Sequence, residues 1–136
     1  MSYGAAAALQ AAIYQLLSTD PAMQALVPSR VFDAAPPGTP PDLYVTLGPE
    51  DARDRGDKTG HAARHDFTVT VVSEAAGFQA AKEVAAAISD ALVDARPPLA
   101  RGRVVRLDFV RAAARRVGRA ARRRIDLRFS ALVAED

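Results

Sequence analysis

Residues 65–92 change their hydrophobic period within one stretch of chain, and this change constrains the fold more than any other feature. From His65 to Ser73, apolar Phe67, Val69 and Val71 alternate with polar side chains. A period of two predicts a strand with one buried face. A helix is predicted over 78–94, where apolar residues recur every three or four positions: Phe78, Ala81, Val84, Ala85, Ile88 and Leu92. A strand followed directly by a helix that can cover it indicates an α+β fold.

The first 28 residues predict two helices. Apolar residues recur at helical spacing within 4–17, namely Leu9, Ile13, Leu16 and Leu17. Asp20-Pro21 then predicts the start of a short helix, because Asp is a good N-cap and Pro is tolerated at the first helical position. Pro28 is expected to end it.

Strands and loops alternate in the next segment. A short strand is predicted at 30–32, and the Pro-rich residues 33–41 predict an extended loop. Residues 43–47 form a β-rich run that Gly48-Pro49 is expected to close. Residues 50–64 carry charges of both signs around two glycines and have little to bury. They predict a mobile loop or an exposed hairpin tip.

The C-terminal third predicts a long β-hairpin. Strands are predicted over 103–116 and 120–133, on either side of Gly118, the expected turn. In the first strand Val105, Leu107 and Phe109 alternate with their neighbours. The whole chain therefore predicts one α+β domain over 1–136, with a mostly antiparallel β-sheet, two helices packed on one face and this hairpin at the end.

Charge is distributed unevenly along the chain. The net charge is +2, but residues 101–128 hold 11 Arg and two acids, while residues 1–100 hold 7 basic and 12 acidic residues. One interpretation is contact with a polyanion through the basic third. Another is self-association, in which the basic part of one copy meets the acidic part of the next. A solvated charged face is the third.

Catalytic and metal-binding patterns are absent from the sequence. There is no Cys, so thiolate chemistry and disulfides are excluded. His61 and His65 lack a matched set of carboxylates for zinc. Asp51, Asp54 and Asp57 alternate with basic residues that would oppose a cation. Without a phosphate-binding glycine loop or a nucleophile elbow, we expect no enzyme, no cofactor and no metal.

Membrane association is not expected either. No apolar run approaches the ~20 residues that span a bilayer. The first residues, Met1 to Gly4 followed by four Ala, lack the basic leader of a signal peptide. We therefore expect a protein made in a cytoplasm.

In order and spacing, these segments resemble the tail completion, or tail terminator, proteins of long-tailed bacteriophages and gene transfer agents. The resemblance covers most of the chain and rests on short motifs. They are the leading helix Leu9–Leu17, Asp20-Pro21, Arg30-Val31-Phe32-Asp33, Pro36-Pro37-Gly38, Pro41 to Gly48, His65 to Ser73 with the helix that ends at Leu92, and the hairpin strands Val104–Phe109 and Arg123–Phe129.

The resemblance implies a structural virion protein that forms a homo-hexameric ring. Such a ring caps the tail tube, stops its polymerisation and offers a surface for joining to the head. The implied partners are other copies of the chain, the tail tube protein, the head–tail connector or stopper protein, and DNA passing through the lumen, with no membrane. It would act in the virion after assembly in the bacterial cytoplasm.

Two groups of charged residues are the candidate subunit, partner or DNA contacts. The basic group is Arg111, Arg115, Arg116, Arg119, Arg122 and Arg123, and the mixed group is Asp51, Arg53, Asp54, Arg55, Asp57 and Lys58. Two alternatives stay open at this point. One is the neighbouring head-completion or stopper ring, and the other is a small nucleic-acid-binding module without sequence preference. Base reading is not expected, because no aromatic residue lies between Phe109 and Phe129.

Overall fold

The computed structural model describes residues 3–57, 60–118 and 122–135. These residues form three helices and five strands. The helices are α1 (Ala6–Thr19), α2 (Pro21–Leu26) and α3 (Gln79–Leu92), and the strands are β1 (Val31–Phe32), β2 (Leu43–Asp54), β3 (His61–Ser73), β4 (Arg103–Val117) and β5 (Arg122–Glu135). The predicted α+β class is confirmed, as is the C-terminal hairpin.

All five strands join one sheet in the order β1-β2-β3-β5-β4. The β1–β2 pair is parallel, and the other three pairs are antiparallel. The strands β3 and β5 lie in the middle and pair without interruption from His61–Glu135 to Ser73–Arg123. The long strands β2 and β4 flank this centre.

The core lies between one face of the sheet and the helices. Leu9, Ile13 and Leu17 of α1 are buried, and so are the predicted apolar positions of α3 such as Ile88. They belong to the same cluster as the alternate residues of β3 and β5, of which Phe129 is fully buried. We call this the helix-covered face of the sheet. Burying this apolar surface is the main stabilisation that the fold has.

The short helix α2 begins as the sequence predicts. Asp20 is its N-cap, and the side chain accepts a hydrogen bond from the Met23 amide at 3.2 Å. Pro21 occupies the first helical position, where its missing N–H costs nothing. Met23 and Val27 are buried beneath it.

Gly48-Pro49 does not end β2, so that prediction is wrong. The strand continues to Asp54, and the dipeptide forms a bulge at which the pairing shifts between Leu47 and Glu50. A Cβ on Gly48 would lie 3.2 Å from the Thr68 carbonyl oxygen, so this close approach favours glycine. A bulge accommodates Pro because it releases the ladder hydrogen bond that Pro cannot donate.

The predicted segment 50–64 is a hairpin end rather than a continuous loop. Asp51 to Asp54 pair with Asp66 to Ala63, and the described residues 55–57 and 60 lie outside the strands. The charges therefore lie on strands whose backbones are paired by cross-strand hydrogen bonds. The hairpin tip was one of the two predicted forms of this segment, but periodicity did not give the strand bounds because neither face of these strand ends carries a hydrophobic stripe.

The hairpin of β4 and β5 is confirmed, with Gly118 at φ 72° directly after β4. The predicted alternation holds for Leu107 and Phe109, which share rows with buried Ala131 and Phe129, and is wrong for Val105. A register shift between Val104 and Arg106 places Val104 rather than Val105 in the core, and Phe109 is 45% exposed. A bulge adds one residue to a strand and so moves the following side chains to the other face.

Candidate assembly surface

The outer part of β4, Phe109–Val117, is exposed along its whole length, and we call it distal β4. Among the described residues, five large apolar side chains are exposed, and distal β4 carries three of them, Phe109, Val110 and Val117. Its partner strand β5 separates it from the rest of the sheet. Distal β4 is therefore a two-sided exposed surface with an apolar component.

Three of the predicted contact residues, Arg111, Arg115 and Arg116, lie on distal β4 and are exposed. Arg115 Nη2 lies 3.5 Å from Asp126 Oδ2, a long contact. Neither Arg111 nor Arg116 has an ion-pair partner among the described residues. Guanidinium groups keep their charge and bind carboxylates or phosphates in bidentate fashion, so this strand presents lasting positive charge.

The arginines at the base of the hairpin turn are held within the subunit. Arg122 pairs with Glu74 at 3.2 Å. Arg123 lies over the Phe78 ring, 5.3 Å from its centroid, and donates a hydrogen bond to the Ala76 carbonyl. Arg119 lies outside the described residues. Arg122 and Arg123 thus fasten the hairpin to the segment before α3, a role that the sequence did not reveal.

The sheet face opposite the helices carries a charged network around Asp126. Its carboxylate accepts hydrogen bonds from Thr70 Oγ1 at 2.8 Å and Arg124 Nε at 3.0 Å. Partial burial by itself would raise the pKa of Asp126. The hydrogen bonds from Thr70 and Arg124, with the charges of Arg124 and Arg115, outweigh burial and lower that pKa.

Asp66 forms a second centre of the same kind on this face. Arg64 Nε donates to its carboxylate at 2.9 Å. Burial alone would raise the pKa of Asp66, but hydrogen bonds from Arg64 and Ser130 and the charges of Arg64 and Arg128 lower it. Asp66 and Asp126 therefore stay ionised at neutral pH, and each neutralises arginines of its own subunit.

The mixed group of predicted contacts lies at the far end of the β2–β3 hairpin. Asp51 contacts Arg53 at 3.8 Å, with both side chains more than half exposed. Asp54 accepts a hydrogen bond from the Gly56 amide at 2.9 Å, and Asp57 accepts one from the Gly60 amide at 2.8 Å. Arg55 lies in the turn, where its backbone N–H bonds to the Ala62 carbonyl. Lys58 lies outside the described residues.

Charge alternates at this hairpin end, yet its acids outnumber its bases. Residues 50–57 hold four acids and two arginines. Distal β4 holds three arginines and no acid. The hairpin end and distal β4 lie at different margins of the sheet, and the cross-strand pairing aligns them with opposite ends of β3 and β5. The two charged groups therefore do not meet within one subunit.

A buried polar contact joins the chain start to the hairpin end. His65 is 1% exposed, and its Nδ1 lies 3.1 Å from Glu50 Oε2. The Tyr3 hydroxyl donates to the other oxygen of Glu50. This hydrogen bond, the Glu50 charge and slight burial raise the pKa of Tyr3, because all three disfavour the phenolate. The carboxylate thus bridges the phenol and the imidazole.

The two histidines do not form a reactive pair in this structure. His65 is enclosed beside Glu50, and His61 is exposed at the start of β3. No group of three or more potential metal ligands occurs among the described residues. Within the same residues, no helix has the length and apolar character to cross a membrane.

Sequence reasoning missed the exposed apolar part of the surface. The predicted strand 103–116 included Phe109 and Val110, but nothing in it predicted the bulge between Phe109 and Arg111. One signal was present in the sequence. The run Ala112 to Ala114 between arginines has no period of two, and that absence marks a strand without a core-facing side.

Comparisons with known proteins agree on one class. A family model described as "Tail completion protein gp17" matches residues 11–134. Among solved structures, the chain is similar to a chain of the "Virion of native gene transfer agent (GTA) particle". The two share 56% sequence identity, with 98% of this chain and 99% of that chain covered and a TM-score of 0.92. The comparison with curated proteins found no match.

Proposed function

The chain belongs to the gp17 tail completion protein family, and on that premise we propose that it is the tail terminator of a phage-like particle or gene transfer agent. In this role the protein is a virion component. Copies form a hexameric ring on the finished tail tube, stop its polymerisation and provide the surface to which the head is joined. The similarity to a gene transfer agent virion chain over nearly the full length of both chains carries the proposal.

The charge layout supports a ring. A basic strand and an acidic hairpin end lie at opposite margins of the same sheet. Surfaces that differ within one copy and complement each other between copies give head-to-tail contacts, and such contacts form a ring when the rotation from copy to copy closes on itself. The exposed Phe109 and Val110 add apolar area that a neighbour or partner would cover.

A particle preparation that lacks this protein tests the proposal. Without the terminator, electron micrographs should show tails of irregular and excessive length, together with unattached heads and tails. The native gene supplied in trans should restore uniform, joined tails. Tails of normal length that merely fail to join heads would instead identify the neighbouring stopper ring.

Contact with DNA in the lumen is a second role for the same arginines. Arg111 and Arg116 are exposed and have no ion-pair partner among the described residues. Sequence-blind contact with phosphates would release counterions, so binding of duplex DNA should weaken steeply as salt rises. Absence of binding at low salt by the assembled native protein would eliminate this role and leave the ring proposal intact.

A further inference from the structure

At each margin of the sheet, the outward backbone groups of the strand have hydrogen-bond partners over only part of its length. On one side β1 pairs with Val45 and Thr46 alone, so Glu50–Asp54, which we call open β2, forms the margin itself. On the other side the Asp94 N–H bonds to the Leu107 carbonyl at 3.0 Å and covers the first part of β4. Among the described residues, no backbone hydrogen bond from another segment reaches distal β4 or the outward side of open β2.

The Asp94 bond shows which backbone groups of β4 point outward. The Leu107 carbonyl faces away from β5. Up to the second bulge, every second residue counted from Leu107 therefore points its backbone N–H and C=O away from β5, and the residues between point theirs toward β5. The shift between Phe109 and Arg111 adds one residue. Beyond it, the outward N–H and C=O groups belong to Ala112, Ala114 and Arg116.

The same reasoning applies to open β2. Val45 donates its N–H outward to the Arg30 carbonyl at 2.9 Å, and Arg55 donates inward to the Ala62 carbonyl at 2.8 Å. When the bulge between Leu47 and Glu50 is taken into account, both hydrogen bonds predict the same alternation of inward and outward backbone groups along β2. The outward groups belong to Glu50, Ala52 and Asp54.

Exposed strand margins normally invite pairing with another chain. Two copies of distal β4 would bring three arginines from each copy together with no acid between them, which is unfavourable. Open β2 has the complementary sign, since Glu50, Asp51 and Asp54 outnumber Arg53. The chemistry therefore favours a basic margin against an acidic one over two identical margins.

We propose that distal β4 of one copy pairs with open β2 of the next copy, so that the sheet continues from subunit to subunit. Within a subunit β2 and β4 run in opposite directions. A neighbour in the same orientation therefore presents β2 antiparallel to β4. The contact is head-to-tail, and the inference rests on the proposed ring, for which it supplies the joint.

Over distal β4 and open β2, charge favours one register above those two residues away. With Ala114 opposite Ala52 of the neighbour, Arg115 faces Asp51 and Arg116 faces Glu50. Moving the strands by two residues in either direction places an arginine opposite Arg53. Ala114 and Ala52 both lie on the helix-covered face of their sheets, because they share rows with buried Ile125 and His65. In the joined sheet, the helix-covered faces of both copies therefore lie on the same side.

Engineered cysteines test the joint, because the chain has no Cys of its own. Within one subunit, Ala52 and Ala114 lie on strands three spacings apart, about 14 Å across the sheet alone. That distance exceeds the Cα separation that a disulfide allows, about 7 Å. Any disulfide between these positions in native-like protein must therefore join two copies.

The experiment uses assembled particles that carry A52C, A114C, both variants in equal amounts, or the double variant A52C/A114C, after mild oxidation. The mixed single variants should give cross-linked dimers and no larger species. The double variant should give a ladder up to the full ring. Each single variant alone should give monomer. Dimers from A114C alone, or no cross-link in rings that have formed, would overturn the inference.

A proline variant asks whether the backbone makes the contact. Ala114→Pro removes an outward N–H without removing a β4–β5 hydrogen bond, whereas Ala114→Val keeps the N–H. Ala114→Pro should remain folded and lose ring assembly at least tenfold relative to Ala114→Val. Normal rings from Ala114→Pro would reject the joint but leave the terminator role standing. Native protein that never assembles on tail tubes would reject the role itself.

Discussion

The two strands of the C-terminal hairpin are similar in length but differ in burial. In β5 the residues Ile125, Leu127, Phe129, Ala131 and Val133 are all buried. In distal β4 every residue is exposed, although each is paired with β5. Cross-strand pairing alone therefore does not bury a strand, because Val104 and Leu107 at the other end of β4 are buried with the same single partner strand.

This difference distinguishes residues that stabilise the subunit from residues that are available for contacts with other molecules. Side chains of β5 contribute to the free energy of unfolding because they fill the core. Side chains of distal β4 contribute little to it, so their apolar and basic character points to a use outside the subunit. The following variants measure that separation, from the largest expected change in stability to the smallest.

Phe129→Ala should cause the largest loss. Phe129 is fully buried and contacts Phe67 and Phe109, with ring centroids 5.7 and 5.9 Å away. Truncation leaves a cavity in the core and should lower the free energy of unfolding by about 3–5 kcal/mol in urea titrations. Phe109→Ala is the matched control and should lose less than half as much. Equal losses would mean that the two strands do not differ as described.

Asp126→Asn should have an intermediate and pH-dependent effect. The pKa of Asp126 is lowered in the folded protein, so its charge stabilises the fold above the ordinary pKa of 3.8. This stabilisation disappears as pH falls through the lower folded-state value. We expect a loss of about 1–2 kcal/mol at neutral pH, with the gap to native protein closing in acid.

A matched carboxylate controls for general charge effects. Asp108 pairs with Arg106 at 2.9 Å, but both side chains are substantially exposed. Asp108→Asn should change stability little at any pH, because exposed pairs contribute little. If both variants show the same pH profile in urea titrations, the Asp126 network has no special role.

Arg123→Ala should lose about 0.5–1 kcal/mol. The variant removes the cation–π contact with Phe78 and the hydrogen bond to Ala76 that fasten the hairpin. Arg123→Lys keeps the charge and should recover part of the loss. Thermal unfolding followed by circular dichroism measures both, and a stability equal to that of native protein would refute the fastening role.

Arg111→Ala should have the smallest effect on the isolated subunit, within about 0.5 kcal/mol. The side chain is exposed and has no ion-pair partner among the described residues. Assembly on tail tubes should weaken nevertheless, as counted in electron micrographs. A variant with unchanged stability and unchanged assembly would remove Arg111 from the contact set.

Much of the fold could be predicted from the hydrophobic periodicity of the sequence and from residues that start or end helices. The alternation at Phe67, Val69 and Val71 identified β3, and the Asp20-Pro21 pair placed the start of α2. These signals are local, because each depends on residues a few positions apart. The order of the segments then sufficed to predict the α+β class.

What could not be predicted depends on register between distant residues. Three bulges set which side chains of β2 and β4 face the helices, and nothing near Val105 announces a bulge. The inward roles of Arg122 and Arg123 depend on Glu74 and Phe78, more than 40 positions away. The candidate contacts on distal β4 and open β2 stay predictions until assembly is measured.

All three bulges lie in β2 and β4, and the β3–β5 pairing has none. Bulges increase local twist, so the twist that they add to this sheet falls on its two flanking strands. A closed hexamer must turn by about 60° from each copy to the next. In the proposed ring, twist at the flanking strands would contribute to that angle while the uninterrupted β3–β5 pair stays unchanged, so the number of subunits in the ring would depend on a few irregular positions such as Gly48-Pro49.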